Sequence, residues 1–294
     1  MDHRMPPSRR AVLAAMAAGA LAGCAGPSGT ARGGRSGTGV PRSEAASGGP
    51  SLTPRPAVAH TLTRSEVVAR YGRRKPHTWG FDAPGTVRAL PTRGAIALTF
   101  DACGGPGGSG YDQKLIDFLR RREVPATLFI NSRWIDANPA VFRRLAREPL
   151  FEIANHGTRH RPLSVTGRSA YGIAGTRSSG EVYDEVAGNH VKLTRLLGFP
   201  PRFFRSGTAY CDDVAARIVT NVGERFVGFS VNGDAGATYT PAEVHHAVGS
   251  AADGSIVICH MNRPKGGTAE GIAAAVPRLL AAGHHFVRLS DQLH

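Results

Sequence analysis

Two familiar cofactor signals are missing from this sequence. No glycine-rich dinucleotide fingerprint follows the first strand candidate. The one dense glycine stretch, Gly104-Gly105-Pro106-Gly107-Gly108, lacks the Gly-Lys-Ser/Thr ending of a phosphate loop. Aromatic residues are scarce, at 7%, and no nucleic-acid-binding module is visible, so the net charge of +14 is not read as a nucleic-acid footprint. No apolar run reaches the roughly 20 residues that a membrane-spanning helix needs. Residues 1–58, with seven arginines and two acidic residues, carry +5 of the charge, and the rest of the chain carries +9. That balance suits an anionic envelope polymer or a membrane face.

The N-terminus reads as an address. Arg4, Arg9 and Arg10 precede an apolar run from Ala11 to Ala22, about the length of a secretory signal core. Ser8-Arg9-Arg10 resembles a twin-arginine signal. Leu21-Ala22-Gly23-Cys24 resembles the lipobox of bacterial lipoproteins, in which the peptide is cut before the Cys and the Cys carries the lipid. The expected organisation is a signal peptide over 1–23, then a lipidated Cys24 and flexible linker over 24–59. The linker is rich in Gly, Ser, Pro and Arg and lacks apolar periodicity. An N-terminal extension follows over 60–92, then a catalytic domain over 93–294. The expected location is the extracellular face of the cytoplasmic membrane, with the membrane as a partner through the lipid.

Beyond residue 60, short apolar runs alternate with amphipathic segments. Strands are expected at Ala95–Phe100, Ala126–Ile130, Phe151–Ala154, Arg202–Phe204, Phe226–Val231, Ser255–Cys259 and His285–Leu289. Helices are expected at Tyr111–Arg122, Pro139–Arg147 and Gly180–Leu197, and at about 211–222, 241–250 and 269–282. Gly198 is placed as a C-terminal stop. Repeated βα units imply an α/β fold with a parallel sheet covered by helices. Seven strands suit a barrel; an open doubly wound sheet is the competing arrangement.

In such folds the chemistry sits at the C-terminal ends of the strands. Asp101, His156, His160, Arg205, Asp234 and His260 all fall there. His156 and His160, four apart, suit a single metal ion. Cys103, Cys211 and Cys259 also lie beyond the linker; in an oxidising compartment two of them can pair.

These residues resemble the polysaccharide deacetylase family with the NodB homology domain (carbohydrate esterase family 4) over roughly residues 93–294. The matching motifs are Thr99-Phe-Asp-Ala-Cys-Gly104, His156-Gly-Thr-Arg-His160, Arg205-Ser-Gly-Thr-Ala-Tyr210, Ser230-Val-Asn-Gly-Asp234 (without the family's Trp) and Ile258-Cys-His260. The resemblance implies a distorted (β/α)7 barrel and a metal-dependent hydrolase removing N-acetyl groups from a cell-wall polysaccharide such as peptidoglycan. It implies Asp101 as general base and His260 as general acid. Arg205 would orient Asp101, Asp234 would tune His260, and Tyr210 would contact substrate. His156 and His160 would hold a divalent ion, commonly zinc. At position 102, where the family usually has a third ligand, this chain has Ala102, which offers no ligating atom. Cys103 as a thiolate, or Asp112 if the glycine loop folds back, are the candidate replacements; a Cys103 disulfide to Cys211 or Cys259 would remove the thiolate. An O-acetyl esterase and a catalytically silent carbohydrate-binding lipoprotein remain alternative functions.

Overall fold

All eight residues of the segment Ala95–Ala102 (β2) are buried, so this strand is covered on both faces. The computed structural model describes residues 61–91 and 94–293; the signal, Cys24 and linker expectations lie outside them. Around β2 stand Ala126–Ile130 (β3), Phe151–Asn155 (β4), Phe203–Phe204 (β5), Arg225–Phe226 (β7), Val231–Asn232 (β8) and Ile256–His260 (β9). They form one curled parallel sheet in the order β7-β5-β4-β3-β2-β9-β8, and His285–Phe286 (β10) pairs with the start of β2. Two further short strands, Trp79–Gly80 (β1) and Cys211–Asp212 (β6), make an antiparallel pair of their own. The expected α/β barrel-type fold is present as a distorted, incompletely closed barrel.

The period of two along each strand sorts the core. Ile96, Leu98, Phe100, Leu128 and Ile130 point outward into a layer shared with the helices Gln113–Arg121 (α2), Pro241–Gly249 (α7) and Thr268–Ala281 (α8). Ala95, Ala97, Phe129, Ala154, Phe203 and Ile256 fill the inside of the curl. Asp101, Arg205 and His260 keep the parity of Ala97, Phe203 and Ile256, so they face into the mouth of the curl. Ser179–Leu197 (α5) covers β4 and ends as the sequence predicts: Gly198 takes the left-handed conformation (φ 85°), open to glycine without a Cβ penalty.

Two expectations need correction, and one open question closes. Phe226–Val231 is not one strand. After β7 the amide of Gly228 pairs with Val87, and β8 begins at the opposite edge of the sheet. The helix expected from Tyr111 starts at Gln113, because Asp112 accepts the Leu115 amide and acts as its N-cap. Cys103, Cys211 and Cys259 are all free thiols.

The extension contributes structure. Arg64–Tyr71 (α1) packs against α5 and Asp213–Val222 (α6). Further on, Val87 bridges Val227 and Ala89 bridges Ser255, so one segment ties strands on either side of the gap in the barrel.

Beneath the mouth lies a buried polar cluster. Asn155 donates to Glu224 Oε1 at 2.8 Å, and His190 Nδ1 meets the same oxygen at 2.7 Å. Burial pushes the Glu224 carboxyl up to about 7 despite these partners. Between pH 4.5 and about 7 the folded chain keeps a proton that the unfolded chain has released, so folding stability declines as pH rises through that window. The decline amounts to about 3 kcal/mol. Urea titrations of the wild type and Glu224→Gln should diverge in favour of the variant by up to that amount between pH 5 and pH 8. Parallel curves would show that Glu224 is not the group responsible.

Candidate active site

Strand register sets the geometry. Asp101 on β2 lies directly opposite His260 on β9. Two strands away, β4 ends at Asn155 and delivers His156; the carbonyl of Asn155 accepts the amide of Arg205, which follows β5.

Arg205 and Asp101 form the centre. Arg205 is wholly buried and gives Nη1 to Asp101 Oδ1 at 2.8 Å. Its other donors go to Thr99 Oγ1, Val227 O and Gly228 O, at 2.9, 3.2 and 2.9 Å. Its guanidinium lies 4.1 Å from the centroid of the Phe129 ring, a desolvated cation–π contact. Burial pushes the Asp101 carboxyl up, but the surrounding charges of His156, Arg205 and His260 outweigh burial and hold it below the usual carboxylate range.

The histidines are held through their Nδ1 atoms. His156 Nδ1 donates to the carbonyl of Arg205 at 2.9 Å, which turns Nε2 into the mouth, 3.6 Å from Asp101 Oδ2 and 3.8 Å from Cys103 Sγ; burial lowers this imidazole, but those two groups outweigh it and raise it above its ordinary value. His160, at φ 63° in the loop after β4, has a buried Nε2 without a hydrogen-bond partner. The donor atoms of Cys103, His156 and His160 lie within 4.8 Å of one another. Cys103 is half-buried; burial raises its thiol, but the neighbouring His160 ring and the contact with His156 Nε2 bring it well below its ordinary value. Two imidazoles and a thiolate, one imidazole otherwise orphaned, fit a borderline-soft divalent ion. Asp112, the other candidate third ligand, caps α2 through Oδ1, and its oxygens are not among the donor atoms that gather with His156 and His160 in the described residues.

His260 gives Nδ1 to Asp234 Oδ1 at 2.9 Å, and its amide donates to Asp234 Oδ2 at 2.6 Å. Thr268 also donates to that oxygen, at 2.9 Å. Burial lowers the His260 imidazole, yet the Asp234 carboxylate outweighs burial and raises it well above its ordinary value. Asp101, Cys103, His156, His160, Arg205, Asp234 and His260 thus converge at one mouth. Tyr210 stands apart, at the end of the Arg205–Tyr210 loop, among other aromatic rings.

The supporting residues escaped the sequence reading. Asn131 Nδ2 donates to the carbonyls of His156 and Gly157, at 2.9 and 2.8 Å. Glu185 accepts the amides of Arg159 and Arg161. Gly207 lies so close to the main chain of His160 that a Cβ there would overlap it. Only the inward parity of Thr99 and Phe129 on their strands pointed to the site.

Residues 89–227 match the Polysaccharide deacetylase family. Within that setting, the chain is 26% identical over 202 residues to the peptidoglycan-N-acetylglucosamine deacetylase of Bacillus cereus, covering 67% of this chain and 87% of the relative. Among solved structures, a CE4 family pseudoenzyme from Bacillus anthracis is similar with a TM-score of 0.61 and 19% identity, over 72% of this chain and 70% of its own. A family 4 carbohydrate esterase from Bacillus anthracis is similar with a TM-score of 0.57 and 21% identity, over 74% of this chain and 96% of its own. At these identities the two structures speak for the fold alone.

Removing one member of the buried pair leaves the other charge unpaired, at a cost of about 3–5 kcal/mol. Arg205→Met should lose that much stability in urea, and adding Asp101→Asn should recover part of the loss. Additive losses in the double variant would show that the two groups are not coupled.

Proposed function

We propose that this chain is a metal-dependent hydrolase that removes N-acetyl groups from a cell-wall polysaccharide, with N-acetylglucosamine units of peptidoglycan as substrate. The observation that carries this reading is the register that sets Asp101 and His260 opposite each other on adjacent strands, the carboxylate bound by Arg205 and the imidazole by Asp234. Amide hydrolysis needs a base on the water and an acid on the leaving amine, and these must differ in protonation at one pH. The polysaccharide deacetylase match and the Bacillus cereus relative support the substrate class.

His156, His160 and Cys103 would hold the ion, with Cys103 in place of the ligating atom that Ala102 lacks. Zinc suits this donor set. Once bound, a divalent ion supplies Lewis acidity toward the acetyl carbonyl and toward water. Asp101, fixed by Arg205 through Oδ1, takes the proton of the attacking water at Oδ2. His260 donates its Nε2 proton to the departing amine, and Asp234 keeps the imidazolium charged until then. Arg205 holds the carboxylate in place and touches no substrate. The same centre would act on O-acetyl esters, where the leaving alcohol asks less of His260.

Ala102 favours a second reading, in which the barrel binds carbohydrate without turnover. The lipobox-like Cys24 supports an exported lipoprotein on the extracellular face of the cytoplasmic membrane, a placement that brings the mouth to the wall.

Acetate release from N-acetylglucosamine oligomers, with and without chelator, tests the proposal. The wild type should release acetate and lose that activity with chelator. Asp101→Asn should abolish release while metal stays bound. Cys103→Ser should lower bound metal at least tenfold, and cobalt-loaded wild type should show a near-ultraviolet thiolate-to-metal band that the variant lacks. A bound ion with no such band would remove Cys103 from the ligand set. Full release by Asp101→Asn would overturn the base assignment.

A further inference from the structure

The segment Arg70-Tyr-Gly-Arg-Arg-Lys75 carries four cations in six residues and no acid. Two of these, Arg70 and Arg74, meet Arg217 of α6 around a cavity of about 280 Å³. Tyr71 and Val214, both buried, line it as well. The α1 side of the cavity lies upstream of residues 89–227, the part of the chain that matches the family.

Helical spacing offers two of these arginines a partner. Glu66 stands four residues before Arg70, and Asp213 four residues before Arg217, the favourable order for an ion pair along a helix. Neither pair forms. Glu66 Oε2 accepts the Thr63 amide at 2.8 Å and the Thr63 hydroxyl at 2.7 Å, in the capping box of α1. Asp213 Oδ1 accepts the amides of His77 and Thr78 at 2.8 and 3.1 Å. Among the described residues no carboxylate pairs with the guanidinium of Arg70, Arg74 or Arg217.

The other polar groups also call for an acceptor. Asn221 Nδ2 donates to the Tyr71 hydroxyl at 2.7 Å, which leaves the phenol's own hydrogen for another partner. Arg70 is steadied against the Tyr71 ring, 5.6 Å from its centroid. Three guanidiniums around one cavity repel one another. An anion held between them would offset that repulsion.

We propose that this cavity is a phosphate-binding site, separate from the catalytic mouth, and that its ligand is a terminal phosphate group, inorganic or a monoester. The donor set selects the anion. A carboxylate has two oxygens and satisfies one guanidinium fork. Three forks and a phenol suit a group with three free oxygens and close to two negative charges, which a terminal phosphate supplies. Free phosphate and the headgroup of a phosphomonoester lipid share that chemistry. The site is independent of the acetyl chemistry at the mouth.

The test uses the full chain. Inorganic phosphate, titrated in a calorimeter at low ionic strength, should bind saturably, and acetate at the same concentrations should not. Arg217→Gln should weaken phosphate binding about tenfold. Arg73→Gln removes the same charge from an exposed position that does not line the cavity, and should leave the affinity within about twofold. Both positions are exposed, so either variant keeps the fold. Phosphatidylcholine vesicles doped with phosphatidic acid separate the two sources. Sedimentation weakened by Arg217→Gln, spared by Arg73→Gln and competed by free phosphate would keep the site and assign it to a lipid headgroup. Sedimentation equal in all three chains, beside saturable binding of inorganic phosphate, would keep the site and assign it to free phosphate. Equal weakening of phosphate binding by the two variants would reduce the cavity to a diffuse basic surface and overturn the site. Absence of saturable phosphate binding, or equal binding of acetate, would overturn it too.

Discussion

A guanidinium with no access to water holds a carboxylate with almost none, and the mouth of this barrel is arranged around that pair. Arg205 has five N–H donors in a rigid fork, and a buried fork demands acceptors in fixed directions. Thr99, Val227 and Gly228 supply them, and Phe129 lies against the flat face. They come from β2, β3 and the segment that follows β7, so the pair sets the relative heights of those strand ends. The carboxylate is thereby ionised and immobile before any substrate arrives, which is the preorganisation a general base requires.

The imidazoles follow the same economy. A backbone carbonyl fixes His156 and a carboxylate fixes His260, each through Nδ1, so both present Nε2 inward. The difference in partner separates their roles. A carbonyl aims His156 Nε2 at the Cys103 thiol and the Asp101 carboxylate, whereas Asp234 binds the far side of the His260 ring and stabilises its charge. Under the proposed function, one residue type would serve as ligand and as acid in the same mouth through its second partners.

Much of this was legible in the sequence. Apolar runs such as Ile256-Val-Ile-Cys and the breaks that follow them located the long strands, and the polar residues just past those runs are the ones that meet at the mouth. The short strands were not legible: Phe203–Phe204 and Arg225–Phe226 are two residues each, too brief for a period to register. Phe226 to Val231 looked continuous because both of its ends are apolar, while the pairing that splits it comes from Val87, far away in the sequence. Asp112 could not be told from Cys103 as a ligand without seeing which donor atoms gather beside the two histidines. Trp79 and Gly80 gave no strand signal, since their pairing with Cys211–Asp212 is only two residues long.

The seam made by Val87 and Ala89 also governs how this chain reaches its native state. Those residues must wait for Val227 and Ser255, and Asp101 must wait for a partner 104 residues further on. Pairings so distant along the chain make for slow folding. During synthesis the early strands β2, β3 and β4 stand with open edges until the C-terminal strands arrive, a stage at which strand edges invite association between molecules. The mouth is therefore among the last regions to assemble, and a chain arrested short of β9 would present a sticky half-sheet that lacks His260 opposite Asp101.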